Sequence, residues 1–271
     1  MSDRDAVTVA IVGAGEMGAA VGRRLREAGA RVVTSVAGRS AESFARVRDA
    51  GLEAVSDDDS LLSGADFVLS IVPPGVAVEV AERLREPLGR ARNKPVFVEC
   101  NAISPTTCRR IRDILDATTF IDAGIIGGPP VAGTQDPAKG PRFYASGDDA
   151  HLLMRLANYG LEIAVLDGPV GTASGLKLSY AGLTKGFTAL CATMLGAAER
   201  EGLADALRSE LARSQPSFLA RMDRALPDMR PKAYRWVAEM QQIAEFVGDA
   251  ENGATIYEGA AVLFRRIASS S

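Results

Sequence analysis

The sequence predicts an α/β fold, a doubly wound parallel sheet, followed by an all-α C-terminal domain. Three observations predict it. Short apolar runs alternate with amphipathic stretches through the first two-thirds of the chain, glycines punctuate their junctions, and beyond Gly168-Pro169 every segment carries helical period. Val7 to Val12 is a strand ending in glycines, and the amphipathic stretch from Met17 to Ala28 stops at Gly29, a helix C-terminal signal. Arg31 to Val36 is the next strand, followed by a helix over Ala41 to Ala50. Phe67 to Val72 is a strand ending at Pro73-Pro74. A helix from Val76 to Leu88 and a strand from Pro95 to Cys100 complete the repeat. Continuous apolar strands of this kind are covered by helices on both faces. Thr119 to Asp122, Arg142 to Ser146 and Glu162 to Leu166 are further strands of the same domain.

The expected domains are residues 1–168 and 169–271. In the second, Ala173 to Gly202 is a long helix rich in small residues. Leu203 to Ser214, Ser217 to Leu226, Pro231 to Phe246 and Ala254 to Ile267 continue the helical pattern. Lys177 and Lys185 interrupt the long segment, leaving its apolar length short of the ~20 residues that span a bilayer. A helical domain of this size suits completion of its core by a second copy, so a homodimer through the C-terminal helices is expected.

Composition excludes several classes. The single histidine, His151, and three scattered cysteines, Cys100, Cys108 and Cys191, supply neither a zinc site nor a disulfide framework, so no metal is expected. An odd number of dispersed thiols and no signal-peptide pattern point to a cytoplasmic protein. A net charge of −3 argues against nucleic-acid binding. Arg23-Arg24 and the Arg109 to Arg112 cluster are expected on solvated helix faces, and His151 on the surface.

Gly13-Ala14-Gly15-Glu16-Met17-Gly18 fits G-x-G-x-x-G between the first strand and the first helix, the Rossmann fingerprint for a dinucleotide. Its first glycine permits the tight turn. The second lets backbone approach a pyrophosphate, and the third lets helix and strand pack. The positive end of the helix dipole faces the anion. An NAD site carries an acidic residue about 20 residues further on, at the end of the second strand. Here that strand runs into Ala37-Gly38-Arg39-Ser40 instead, whose guanidinium and hydroxyl suit a 2′-phosphate. The expected cofactor is NADP(H).

Ligands of such sheets lie beyond the carboxyl ends of the strands. Four segments belong there: Val72-Pro73-Pro74, Cys100 to Pro105, Asp122 to Pro129, and the glycine-rich helix entry Gly171 to Lys177. Together they resemble the β-hydroxyacid dehydrogenase family, which includes 3-hydroxyisobutyrate and 6-phosphogluconate dehydrogenases, over nearly the whole chain. The resemblance implies that Gly13, Gly15, Glu16, Met17 and Gly18 hold the pyrophosphate, and Arg39 and Ser40 the 2′-phosphate. It also implies that Val72, Pro73 and Asn101 border the ribose and nicotinamide. Gly127 and Gly128 match the substrate-binding Gly-Gly, and Lys177 the catalytic lysine. A lysine near the start of an apolar helix, facing an oxidised nicotinamide, has its pKa lowered toward a useful acid–base range.

Two positions depart from the family. Ala181 stands where Asn usually follows the lysine by one helical turn, and Ile126 where Ser commonly precedes Gly-Gly. The pocket loses two polar contacts, which disfavours a small hydroxycarboxylate. Tyr180 and Thr184, at i+3 and i+7 from Lys177, are candidate replacements. The segment Arg235 to Met240 resembles one in a poorly characterised subgroup of the family, which makes Trp236, Glu239 and Met240 candidates to close the pocket. These readings imply an NADP(H)-dependent oxidoreductase passing hydride between nicotinamide and a carbonyl or alcohol carbon of a small, rather apolar substrate. An imine reductase on the same fold is the alternative enzyme. A non-catalytic NADP(H)-sensing regulator is the alternative of another class.

Overall fold

The structure, a computed structural model, describes residues 6–134, 136–248 and 252–270. Its first part runs β1 (Thr8–Val12), α1 (Glu16–Glu27), β2 (Arg31–Ser35), α2 (Ala41–Asp49), β3 (Glu53–Val55), α3 (Asp58–Leu62) and β4 (Phe67–Ser70). It continues through α4 (Ala77–Arg90), β5 (Val96–Glu99), α5 (Pro105–Ile114), β6 (Phe120–Ile126), β7 (Arg142–Ser146) and β8 (Glu162–Val165). The remainder is helical: α6 (Thr172–Arg200), α7 (Ala204–Ser214), α8 (Pro216–Met229), α9 (Ala233–Val247) and α10 (Gly253–Ser269).

The strands form one sheet in the order β3-β2-β1-β4-β5-β6-β7-β8. Its two faces are read directly from the period of a strand. In β1, Val9 and Ile11 enter one core with Phe67 and Leu69, while Ala10 and Val12 enter the other with Val68. The order in which strands are added reverses between the parallel neighbours β1 and β4, the switch point at which a doubly wound sheet opens a crevice.

The sheet is not wholly parallel. β6 extends to Ile126, beyond the expected end at Asp122, and pairs antiparallel with β7 in the register Asp122↔Ser146 to Ile126↔Arg142. Among its described residues the Gly-Pro-rich segment between them carries only a 3₁₀ turn over Pro137–Lys139 and no crossover helix, and β7 returns beside β6 in the opposite direction. β3 and α3 carry no sequence expectation, because β3 is short with Glu53 and Ala54 exposed, leaving no apolar run to mark it. Arg24 also departs from expectation. It is buried, and its guanidinium donates to the carbonyls of Asp136, Gly160 and Val131 at 3.1–3.3 Å, tying α1 to two loops. Arg109, Arg110 and His151 are exposed.

The chain forms two compact units that divide between Lys177 and Leu178. The expected junction at Gly168-Pro169 precedes α6, whereas the units divide inside that helix, because its first turns are bonded to the sheet. The second unit has a core containing Met222, Met240, Ile243 and Phe264. Among the described residues no helix is long and apolar enough to cross a membrane, and no cluster of His, Cys, Asp and Glu could hold a metal.

Candidate active site

The fingerprint glycines divide into packed and open positions. Gly13 has φ +92°, and a Cβ there would lie 2.4 Å from the Ile71 carbonyl oxygen and 2.7 Å from Val72 Cγ1. A Cβ on Gly18 would lie 2.2 Å from the Gly13 oxygen. These two glycines let α1, the turn and the end of β4 touch. Gly15 differs: it is exposed, has regular backbone, and open space surrounds the place of its Cβ. It is also the N-cap of α1, with no side chain capping the first-turn N–H groups. An uncapped helix end facing open space fits an anionic pyrophosphate. Glu16 is exposed at the first helical position, and Met17 packs its side chain against the core beneath.

At the end of β2, Ala37, Arg39 and Ser40 are exposed. The Ser40 hydroxyl accepts the Ser43 N–H at 3.3 Å, capping α2. Arg39 lines a narrow cleft with Val12, Gly13, Ser35, Ala37, Leu61 and Arg83. Arg83, on α4, is a second guanidinium that sequence reasoning missed, since it lies far along the chain from any motif. Its nearest charged partner is Asp58, at 3.4 Å.

The next two strand ends are linked by hydrogen bonds. The Asn101 side-chain oxygen accepts the Val72 N–H at 2.6 Å, and its amide donates to the Ser70 hydroxyl at 3.0 Å. Glu99 in turn accepts the Asn101 N–H at 2.9 Å. Val72 is half-buried and Pro73 exposed, leading into a short 3₁₀ turn over Pro74–Val76. The structure thus brings Val72, Pro73 and Asn101 together beside the glycine turn. Burial pushes the Glu99 carboxyl up to about 8, the Asn101 N–H opposes this, and the Asp122 charge raises it further.

Asp122 is the residue sequence reasoning passed over most completely. It is fully buried on β6, in register with Glu99. Its carboxylate accepts from the Ser146 hydroxyl (2.9 Å), the N–H groups of Gly171 (2.8 Å) and Ser174 (3.1 Å), and the Ser174 hydroxyl (2.6 Å). Two residues along, a Cβ on Gly124 would meet the Ala173 carbonyl oxygen at 2.8 Å and Lys177 Cβ at 2.9 Å. Lys177 therefore sits against β6, at the carboxyl end of the sheet. The strand then ends at half-buried Ile126 and exposed Gly127 and Gly128, the former at φ +126° against Pro141.

In the helical unit, Ala181 is buried and Tyr180 is about half exposed at 49%. The Thr184 hydroxyl donates to the Tyr180 and Ala181 carbonyls of its own helix, which commits its proton. Met240 is fully buried, and Trp236 packs edge-to-face on Phe264 with centroids 5.2 Å apart. Half-buried Lys185 forms an ion pair with buried Glu239, and the Lys185 ammonium lies 5.3 Å from the Trp236 ring. The structure thus gives Trp236 and Met240 packing partners within this unit.

Comparison with known proteins assigns the chain to a family. The model described as the NAD binding domain of 6-phosphogluconate dehydrogenase matches residues 8–157, more than half of the chain. The chain belongs to the β-hydroxyacid dehydrogenase family. It is a nicotinamide-dependent oxidoreductase of the dehydrogenase type. A domain of unknown function (DUF1932) matches residues 198–267, so the family's helical part is here of the uncharacterised kind. An uncharacterised 28.5 kDa protein of Methanothermus fervidus is 28% identical over 73% of this chain and 74% of its own. A 3-hydroxyisobutyrate dehydrogenase of Pseudomonas aeruginosa is 28% identical over 44% of this chain and 41% of its own. Among solved structures, the conserved protein MTH1747 of unknown function, described as structurally similar to 3-hydroxyacid dehydrogenases, is 30% identical with a TM-score of 0.70. That match covers 97% of this chain and 98% of MTH1747. A reductive aminase from Aspergillus terreus, in complex with NADPH and ethyl-5-oxohexanoate, shares the fold at 16% identity and a TM-score of 0.56, covering 98% and 95%.

Proposed function

We propose that this chain is an NADP(H)-dependent reductase or dehydrogenase acting on a carbonyl or alcohol carbon of a small, rather apolar substrate, with Lys177 as its general acid or base. The observation that carries this reading is the contact of Lys177 with Gly124, which holds the one lysine of the Gly171–Lys177 entry against the end of β6. When bound, the nicotinamide supplies or accepts hydride. Gly13, Gly15, Glu16, Met17 and Gly18 would hold its pyrophosphate at the open end of α1, and Val72, Pro73 and Asn101 would border its ribose and ring. Lys177 donates a proton to the substrate oxygen during reduction and takes it back in the reverse direction. Gly128, with open space where a Cβ would lie, would leave room for the substrate beside Gly127, whose own missing side chain lets the chain pack against Pro141, and Ile126 gives that edge an apolar character.

NADP(H) is favoured over NAD(H) because the end of β2 carries no carboxylate, while Arg39 and Arg83 both face the cleft beside it. Ser40 caps α2, and its hydroxyl, paired with the Ser43 hydroxyl at 3.2 Å, lies on the same exposed segment as Arg39, where it would meet a 2′-phosphate. With Ala181 apolar, Tyr180 and the lone pairs of Thr184, at i+3 and i+7 from Lys177, would be the replacement polar groups on its helix.

A homodimer is part of the same proposal. Leu183, Leu190 and Met194 expose 74%, 59% and 55% of their surface at spacings that place them on one face of α6, and Ile256 and Val262 of α10 are likewise exposed. Light scattering tests it. The native chain is expected at twice the monomer mass and Leu190→Glu at the monomer mass, whereas a monomeric native chain refutes the dimer. Three buried free thiols are in keeping with a reducing cytoplasm.

The experiment that tests the functional reading has two arms. Fluorescence titration with NADPH and NADH should give tighter NADPH binding, and tighter NADH binding would overturn the cofactor assignment. A panel of small aldehydes, ketones, hydroxyacids and cyclic imines should then show NADPH oxidation with carbonyls, or NADP⁺ reduction with hydroxyacids. Turnover of the imines alone would replace carbonyl chemistry with imine reduction.

A further inference from the structure

Helix α6 begins on a carboxylate that is not its own. Asp122, on β6, is bonded to the N–H groups of Gly171 and Ser174 and to the Ser174 hydroxyl, while the Ser146 hydroxyl both donates to Asp122 and accepts the Ala173 N–H at 3.0 Å. Three backbone donors around the start of α6, the N–H groups of Gly171, Ala173 and Ser174, are thereby satisfied from the sheet, while the Thr172 N–H bonds the Pro169 carbonyl. We infer that Asp122 is a positioning residue for Lys177: its carboxylate closes the N-terminal end of α6 and, with the missing side chain of Gly124, sets the depth and rotation at which that helix presents Lys177. This rests on the reading of Lys177 as the acid–base group.

Four features of the arrangement support it. Asp122 accepts four hydrogen bonds, which is about the full capacity of an ionised carboxylate. Its charge lies at the positive end of the helix dipole, where an anion is stabilised. Its neighbour across the strand pair, Glu99, keeps its proton at neutral pH, so a single negative charge is left to this helix end. Finally, the contact beside Lys177 is rigid in both directions. Above Gly124 lie the Ala173 carbonyl and the Lys177 Cβ, so the helix can approach no further, and the hydrogen bonds to Asp122 prevent it from lifting away. Lys177 is three residues after Ser174, within the first turns that this clamp orders.

The test compares Asp122→Asn, Ser174→Ala and Lys177→Ala with the native chain. Asp122→Asn removes the charge and leaves one acceptor. Ser174→Ala removes only the hydroxyl donor and is the milder variant, should Asp122→Asn fail to fold. Hydrogen–deuterium exchange is followed over residues 168–178, and kcat and the KM for NADPH are measured per folded molecule with the fastest substrate of the panel. In Asp122→Asn, faster exchange confined to that segment is expected, with kcat lowered about 100-fold, as for misplacement of a catalytic group by about 1 Å, and an unchanged KM for NADPH. Ser174→Ala should fall between this variant and the native chain in both measures. A purely structural role would lower the melting temperature and leave kcat per folded molecule at the native value, and this result would overturn the inference. Unchanged exchange over residues 168–178 would overturn it too. If Lys177→Ala keeps native kcat, the acid–base reading itself fails, and the exchange arm still decides whether Asp122 holds the helix.

Discussion

Two helix ends in the sheet-bearing unit make opposite use of the same electrostatics. The start of α1 is left open: Gly15 caps it without a side chain, and a Cβ there would meet no neighbouring atom. The start of α6 is closed, its N–H groups consumed by Asp122 and Ser146. Both present the positive end of a dipole. The open end is suited to receive an anion from outside, as the pyrophosphate of a cofactor. The closed end carries an internal anion, and that turns a binding device into a rigid mount for Lys177, the proposed acid–base residue. The glycines follow the same division, since Gly13, Gly18 and Gly124 are packed against backbone while Gly15 faces space.

The largest expected effect comes from filling the packed glycines. Gly13→Ala and Gly18→Ala each drive a methyl group to within 2.4 Å of a backbone oxygen. Overpacking of this kind costs about 3 kcal/mol, or roughly 6–12 °C in Tm for a unit of this size. Scanning calorimetry checks this, and an unchanged Tm would mean that the turn is looser than the contacts require.

Next comes Glu99→Gln, which probes the neutral partner behind the closed end. With a pKa raised from 4.5 to about 8, Glu99 keeps its proton in the folded chain where the unfolded chain releases it. Folding stability from this group is therefore fully present below about pH 4.5, declines as pH rises through that window and is flat above about pH 8. Gln is always neutral, so the variant escapes the decline. The Tm difference between Glu99→Gln and the native chain should grow in favour of the variant from pH 5 to pH 8.5, and an equal difference at both pH values would show that Glu99 is not the titrating group.

At the open end, Arg39→Ala should weaken NADPH binding by about 1.5–3 kcal/mol, as for a charge-assisted contact, and leave NADH binding unaltered. Arg83→Ala should show the same selectivity with a smaller loss, because Asp58 already shares its charge. Equal weakening of both cofactors would assign these residues to the adenine or the fold instead of the 2′-phosphate. The smallest effect on stability belongs to Gly15→Ala. Its backbone is regular and its Cβ would meet nothing, so the unfolding free energy should stay within about 0.5 kcal/mol of native. Its NADPH affinity should fall, because the methyl group occupies the ligand's approach.

Much of the α/β architecture was legible because its signals are local. Alternation in β1 assigns Val9 and Ile11 to one face and Ala10 and Val12 to the other without reference to anything distant. The glycine turn was legible for the same reason. What escaped depends on partners far along the chain. Asp122 meets its donors 24 to 52 residues downstream, and a carboxylate at a strand position gives no sign of which helix it will cap. Arg24 was expected in solvent because charge at helical spacing usually is, yet three loop carbonyls converge on it. β3 lacked an apolar run because two of its three residues face outward. The antiparallel turn of β7 could not be distinguished from a crossover by composition alone.

The most direct test of the account is a single-turnover measurement of NADPH oxidation, at saturating NADPH, by the native chain and Lys177→Ala with the fastest carbonyl substrate of the panel. Loss of a positioned proton donor predicts a rate about 100- to 10,000-fold lower, with NADPH affinity intact because the open end of α1 is untouched. An unaltered rate in Lys177→Ala, with NADPH still bound, would contradict it.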